Sequence, residues 1–181
     1  MAKLVSKTYG DALFAVAMEE DRLDEFFETA KDLSDILRTN EEFGKLMNDP
    51  KIVKEEKIKI VEEVFGNKVP GEILGLMKLM VTKGRASEML SVFDYFVNLV
   101  KEEKKIGKAD VTTAIALNEN QRKQVEEKLL ETTDYQSFEM QYHVDASIIG
   151  GMVIRIGDRV VDSSVKTKLQ DLTRELRYIQ V

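Results

Sequence analysis

His143 is the one imidazole in this sequence, and Asp145, Asp158 and Asp162 follow it closely. A histidine beside a serine could drive nucleophilic catalysis, and gathered carboxylates could hold a metal or serve as acid and base. Nothing near His143 in sequence selects such a partner, and it reads as an ordinary strand residue on the alternate face from Tyr142. The aspartates stand where turns and helix caps are expected, which are the commoner roles for Asp. There is no cysteine, so thiol nucleophiles, thiolate metal sites and disulfides are excluded. Neither G-x-x-x-x-G-K with a following Ser or Thr nor G-x-G-x-x-G occurs, and Lys83, Gly84 and Arg85 read as a helix end. No catalytic, cofactor-binding or metal-binding residue is assigned.

The elements that would position these groups carry more information than the groups themselves. Between Asp145 and Leu172 the apolar pattern changes period: before Asp158 it suits extended chain, and after Ser164 it becomes helical, with Val165, Leu169, Leu172, Leu176 and Ile179 on one stripe. Gly150 and Gly151 in this block permit backbone angles or close approaches that a side chain forbids. Ala109, Val111, Thr113, Ile115 and Leu117 alternate as a strand, Asn118 can cap a helix from Glu119 to Thr132, and Phe138, Met140, Tyr142 and Val144 alternate again. One or two short strands complete the set. Residues 106–181 therefore form a small α+β domain with a terminal helix.

Residues 1–105 read as a succession of helices with short breaks, which implies a compact antiparallel bundle. Two of these helices are apolar over more than one stripe. Ile73, Leu74, Leu76, Met77, Leu79, Met80 and Val81 leave only Gly75, Lys78 and Thr82 as a clear polar strip, and on the opening helix Phe14 and Met18 project away from the side formed by Val5, Tyr9, Ala12, Leu13, Val16 and Ala17. Either the two helices sit at the centre of the bundle, or an exposed apolar groove lies between them. Such a groove would accept an amphipathic helix. The closing helix has a narrower seam, stepping by 4, 3, 4 and 3 from Val165, which can join another helix or lie across the sheet.

Composition narrows the function further. The net charge is −6 at pH 7 and both halves are acidic, so neither offers an electrostatic footprint for nucleic acid. No apolar run approaches the ~20 residues of a spanning helix, and the opening residues resemble neither a secretion signal nor a transit peptide, so direct membrane insertion is not expected. A chain of 181 residues buries roughly 70% of its unfolded surface, enough for a core without staples.

The block DASIIGGMVIRIGDRVVDSSV, together with Tyr9, Ala12, Leu13, Phe14 and Ala17 in the opening helix, resembles the delta subunit family of F-type ATP synthase, the oligomycin-sensitivity-conferral proteins of mitochondria. The chain departs from the family at Gly10, usually Ala, at Ala146, often Pro, and at Ser163, commonly Gly. The resemblance implies a mainly α protein with an N-terminal six-helix bundle and a small α+β C-terminal domain, noncatalytic and without cofactors. It implies two partners. The groove between the first and fifth helices would hold the N-terminal helix of an alpha subunit, at Tyr9, Ala12, Val16, Met77 and Val81. The C-terminal end of the peripheral-stalk b subunit would meet Gly150, Gly151 and the last helix at Leu169, Leu172 and Leu176. The implied protein is monomeric when isolated, one copy per complex, at the cytoplasmic face of a bacterial membrane. A general helix-binding adaptor with other partners is the alternative, and a small metal-dependent hydrolase using the carboxylates is a third class.

Overall fold

The computed structural model describes the backbone of residues 2–179 and the side chains of residues 4–175. It divides into two compact units, Met1–Val100 and Lys101–Val181. The division falls five residues before the boundary expected from composition, inside the last helix of the bundle.

Six α-helices build the first unit among the described residues: α1 (Ala2–Glu19), α2 (Leu23–Thr39), α3 (Glu41–Asn48), α4 (Lys54–Phe65), α5 (Gly71–Thr82) and α6 (Met89–Glu103), with a single 3-10 turn at Ala86–Glu88 before α6. Local chemistry sets their limits. On α2, Asp24 and Glu25 lie in the first turn and Arg38 in the last, each placed to suit the helix dipole. Pro70 precedes α5, and Gly84, at φ +69°, lies just past its end. Apolar positions at helical spacing turn inward to one core containing Leu13, Ala17, Phe26, Leu33, Val61, Phe65, Ile73, Met77, Met80, Phe93 and Phe96. Full burial of each large side chain contributes about 1.5–3 kcal/mol.

Gly10 belongs to this packing. A methyl group there would run into the ring of Tyr95, whose hydroxyl donates to Asp11 Oδ1 at 2.9 Å. Glycine in mid-helix costs roughly 1 kcal/mol relative to alanine, and the aromatic contact offsets it. Gly10→Ala is therefore expected to destabilise the native chain by about 1–2 kcal/mol, since overpacking displaces the ring. In a Tyr95→Ala background the same change should stabilise by up to about 1 kcal/mol. Chemical denaturation of the four variants measures the reversal of sign.

A four-stranded mixed sheet of order β2-β1-β3-β4 forms the second unit: β1 (Ile106–Thr113), β2 (Ser137–Val144), β3 (Met152–Ile156) and β4 (Arg159–Asp162). The crossover helix α7 (Glu119–Thr132) joins the parallel pair β1 and β2, while β3 runs antiparallel to both β1 and β4. Asn118 caps α7 in a reciprocal box with Gln121, as the sequence suggested. The first strand ends at Thr113, not Leu117. Thr113 Oγ1 donates to Ile115 O at 2.7 Å, turning the chain, and Ile115 is left exposed. Ala109, Val111 and Phe138 on one sheet face pack with Val125 and Leu129 of α7. The last helix, α8 (Val165–Ile179), follows β4.

Candidate partner-binding faces

In the first unit α1 and α5 are neighbours that run antiparallel. At one end Arg22, just past α1, reaches Glu72 at the start of α5, with Nη1 to Oε1 at 3.3 Å. At the other end Leu4, Val5, Thr8 and Tyr9 share an open cleft of about 430 Å³ with Lys83 and Arg85 beyond the end of α5. Glu72, Leu76, Leu79 and Lys83 step by 4, 3 and 4, so they form one helical stripe whose two ends both lie beside α1. Val5, Tyr9, Ala12, Val16 and Glu19 make the matching stripe on α1. Leu79 is 43% exposed, Ala12 is exposed, and Tyr9, Val16 and Leu76 are half-buried. The two stripes therefore line a shallow surface groove with an apolar middle.

Tyr9, Ala12 and Val16 lie on this groove. Met77 and Val81 do not, and the expectation for them is corrected. They are 0% and 2% exposed and belong to the bundle's own core with Ile73 and Met80. These four residues, at i, i+4, i+7 and i+8, are the middle of α5's wide apolar arc and face inward. The edge of that arc, at Leu76 and Leu79, is the part that reaches the surface. The sequence shows an arc too wide for one contact, and the structure shows that its centre is the part the bundle buries.

In the second unit the glycine block holds the start of α8. Gly151 has φ +75°, and a side chain on it would collide with the carbonyl of Ser163. Both the amide and the hydroxyl of Ser163 donate to Met152 O at 2.9 Å, and the Val165 amide donates to Gly150 O at 2.9 Å. Ser164 Oγ caps α8 by accepting from the Thr167 amide at 3.2 Å. Asp162 accepts from the Ser164 amide and from Thr167 Oγ1, both at 2.8 Å, and these bonds, from Ser164 first, hold its carboxyl below the usual carboxylate range. Beyond this anchor the seam of α8 faces outward: Val165, Leu169 and Leu172 are 37%, 50% and 55% exposed. The side chain of Leu176, which continues the seam, lies outside the described residues. Ile149, next to the glycines, is exposed and held at φ +68°, a strained conformation for a β-branched residue.

The groups weighed for chemistry are dispersed. His143 is exposed on the polar sheet face, with Nε2 3.6 Å from Asp110 Oδ1 across the parallel pair. Asp145 accepts from the Ser147 amide at 2.9 Å, which lowers its carboxyl from the usual range, and Asp158 sits in the turn between β3 and β4. Among the described residues no three His, Cys, Asp or Glu side chains come together as metal ligands. No helix among them is long and apolar enough to cross a membrane.

Each of the two compact units leaves an apolar helical surface uncovered, a surface of the kind that accepts an amphipathic helix. Comparison with known proteins identifies the family. The family described as ATP synthase delta (OSCP) subunit matches residues 5–176. The chain is similar to the ATP synthase subunit delta of Lachnoclostridium phytofermentans, at 49% identity over 181 residues and 100% of both chains. It is 33% identical to that of Natranaerobius thermophilus, covering 96% of each. Its fold is similar to that of a chain in the Toxoplasma gondii mitochondrial ATP synthase hexamer, with TM-score 0.71 and 20% identity over 94% of this chain and 96% of that one. The chain belongs to the ATP synthase delta (OSCP) subunit family. It is thus a structural and not a catalytic subunit, a stator component of the membrane-associated ATP synthase complex.

Proposed function

We propose that this subunit ties the catalytic head to the peripheral stalk, so that proton-driven rotation stays coupled to ATP synthesis. The groove between α1 and α5 takes the N-terminal helix of an alpha subunit, with Tyr9, Ala12, Val16, Leu76 and Leu79 as its floor and walls. Gly150, Gly151 and the outward seam of α8 take the C-terminal end of the b subunit. The observation that carries this reading is the division of exposed apolar helix surface between two compact units. One copy serves one head, at the cytoplasmic face of a bacterial membrane and through the complex alone, and the isolated protein is a monomer.

Deletion tests the division of labour. A chain ending at residue 105 is expected to keep its affinity for an alpha-subunit N-terminal peptide and to lose the b-subunit end completely in pull-down. Retention of both would refute the assignment of partners to units. Failure of the full chain to capture the synthase head would favour a general helix-binding adaptor.

A further inference from the structure

The groove between α1 and α5 is charged in opposite senses at its two ends. At one end stand Lys83 and Arg85, both exposed, and neither forms an ion pair among the described residues. Lys54, at the start of α4, donates from Nζ to Thr82 O at 2.7 Å near the same end of α5. Glu88, three residues beyond Arg85, turns one carboxylate oxygen out of solvent. At the other end Glu19, Glu20 and Asp21 close α1 and Glu72 opens α5, with Arg22 shared between Glu20, Glu25 and Glu72. Between these ends the walls are Thr8, Tyr9, Ala12, Val16, Leu76 and Leu79, with no charged group to fix which way a seated helix points.

We infer that the charged ends of this groove set the direction of the helix that docks in it, an acidic residue of the partner lying over Lys83 and Arg85 and a basic one over the exposed Glu19 and Asp21 at the end of α1. The inference rests on the proposed alpha-subunit contact and adds its orientation. Apolar anchors at i, i+3, i+4 and i+7 supply most of the affinity, but such a stripe is nearly symmetric on reversal. The charges break that symmetry. Like-charge juxtaposition in the reversed pose penalises it, while complementary ends favour the correct one and speed encounter. Because these groups are solvated, the effect is modest per charge and screened by salt.

The test uses the full chain and a fluorescent synthetic peptide carrying the N-terminal segment of the alpha subunit from the same genome. At low ionic strength Lys83→Glu with Arg85→Glu should weaken binding about tenfold, roughly 1.4 kcal/mol. The gap should close at high salt. Lys83→Gln with Arg85→Gln should lose a smaller part, and circular dichroism confirms that each variant is folded. A peptide whose acidic residues are replaced by lysine should bind the charge-reversed protein better than the native one. Equal affinity of native and charge-reversed chains for the native peptide at low salt overturns the inference while leaving the contact intact. No binding of that peptide by the native chain overturns the contact itself, and the orientation with it.

Discussion

Val81→Asp is expected to unfold the helical unit. Val81 is 2% exposed and belongs to an apolar core with Ile73, Met77, Met80 and Phe93. A carboxylate there either stays ionised without a partner or takes up a proton and remains an unsatisfied polar group, and both are costly. The loss should be about 4 kcal/mol or more, a large share of the 5–15 kcal/mol that holds a domain together. A thermal melt followed at 222 nm should show the bundle unfolded or its midpoint sharply lowered. Leu79→Asp, two residues earlier and on the outer edge of the same helix, is the contrasting case. It should melt like the native protein and weaken the alpha-subunit peptide by about 2 kcal/mol or more, as loss of a central anchor does. If Val81→Asp melted normally and lost the peptide instead, α5 would present the opposite side and the groove would be misplaced.

The second large effect belongs to α8. Replacing Leu169 and Leu172 together with aspartate should abolish capture of the b-subunit end, a loss of at least about a hundredfold, or 2.7 kcal/mol. Stability should barely change, because both side chains are half in water already and removing their exposed part uncovers little else. Analytical pull-down with the stalk end and denaturation of the isolated chain measure the two quantities separately. A folded double variant that still captured the stalk would move that contact elsewhere on the unit. A variant that failed to fold would show that the seam is core, covered by its own chain.

Much of this architecture was legible in the residues. Helical spacing in the first unit, the Asn118 cap and the change of period after Ser164 all report local physics, and local physics decides where an element starts and what it buries. On α1 the sequence pattern separated Leu13 and Ala17, which are buried, from Ala12, which is exposed, with Tyr9 and Val16 half-buried between them. α5 defeated the same reasoning. An arc spread over Ile73 to Val81 does not say which part of it meets the core, since that depends on where α1 and α4 pack, a tertiary fact. The strand carried on to Leu117 failed for a related reason, because alternation continued past the point where Thr113 bends the backbone. Lys83 and Arg85 were read as a helix end, which they are. Their position beside the first turns of α1 depends on the antiparallel pairing, and no local pattern encodes it.

The anchoring of α8 has a mechanical consequence. The helix is covalently continuous with β4, an edge strand, yet the hydrogen bonds from Val165 to Gly150 and from Ser163 to Met152 fasten its root to the start of β3. That strand is flanked on both sides, by β1 and by β4. A tug along α8 is therefore shared by two ladders at once and does not peel β4 away one bond at a time. Under the proposed attachment of the stalk to α8, this is the difference between a seam that tears and one that holds.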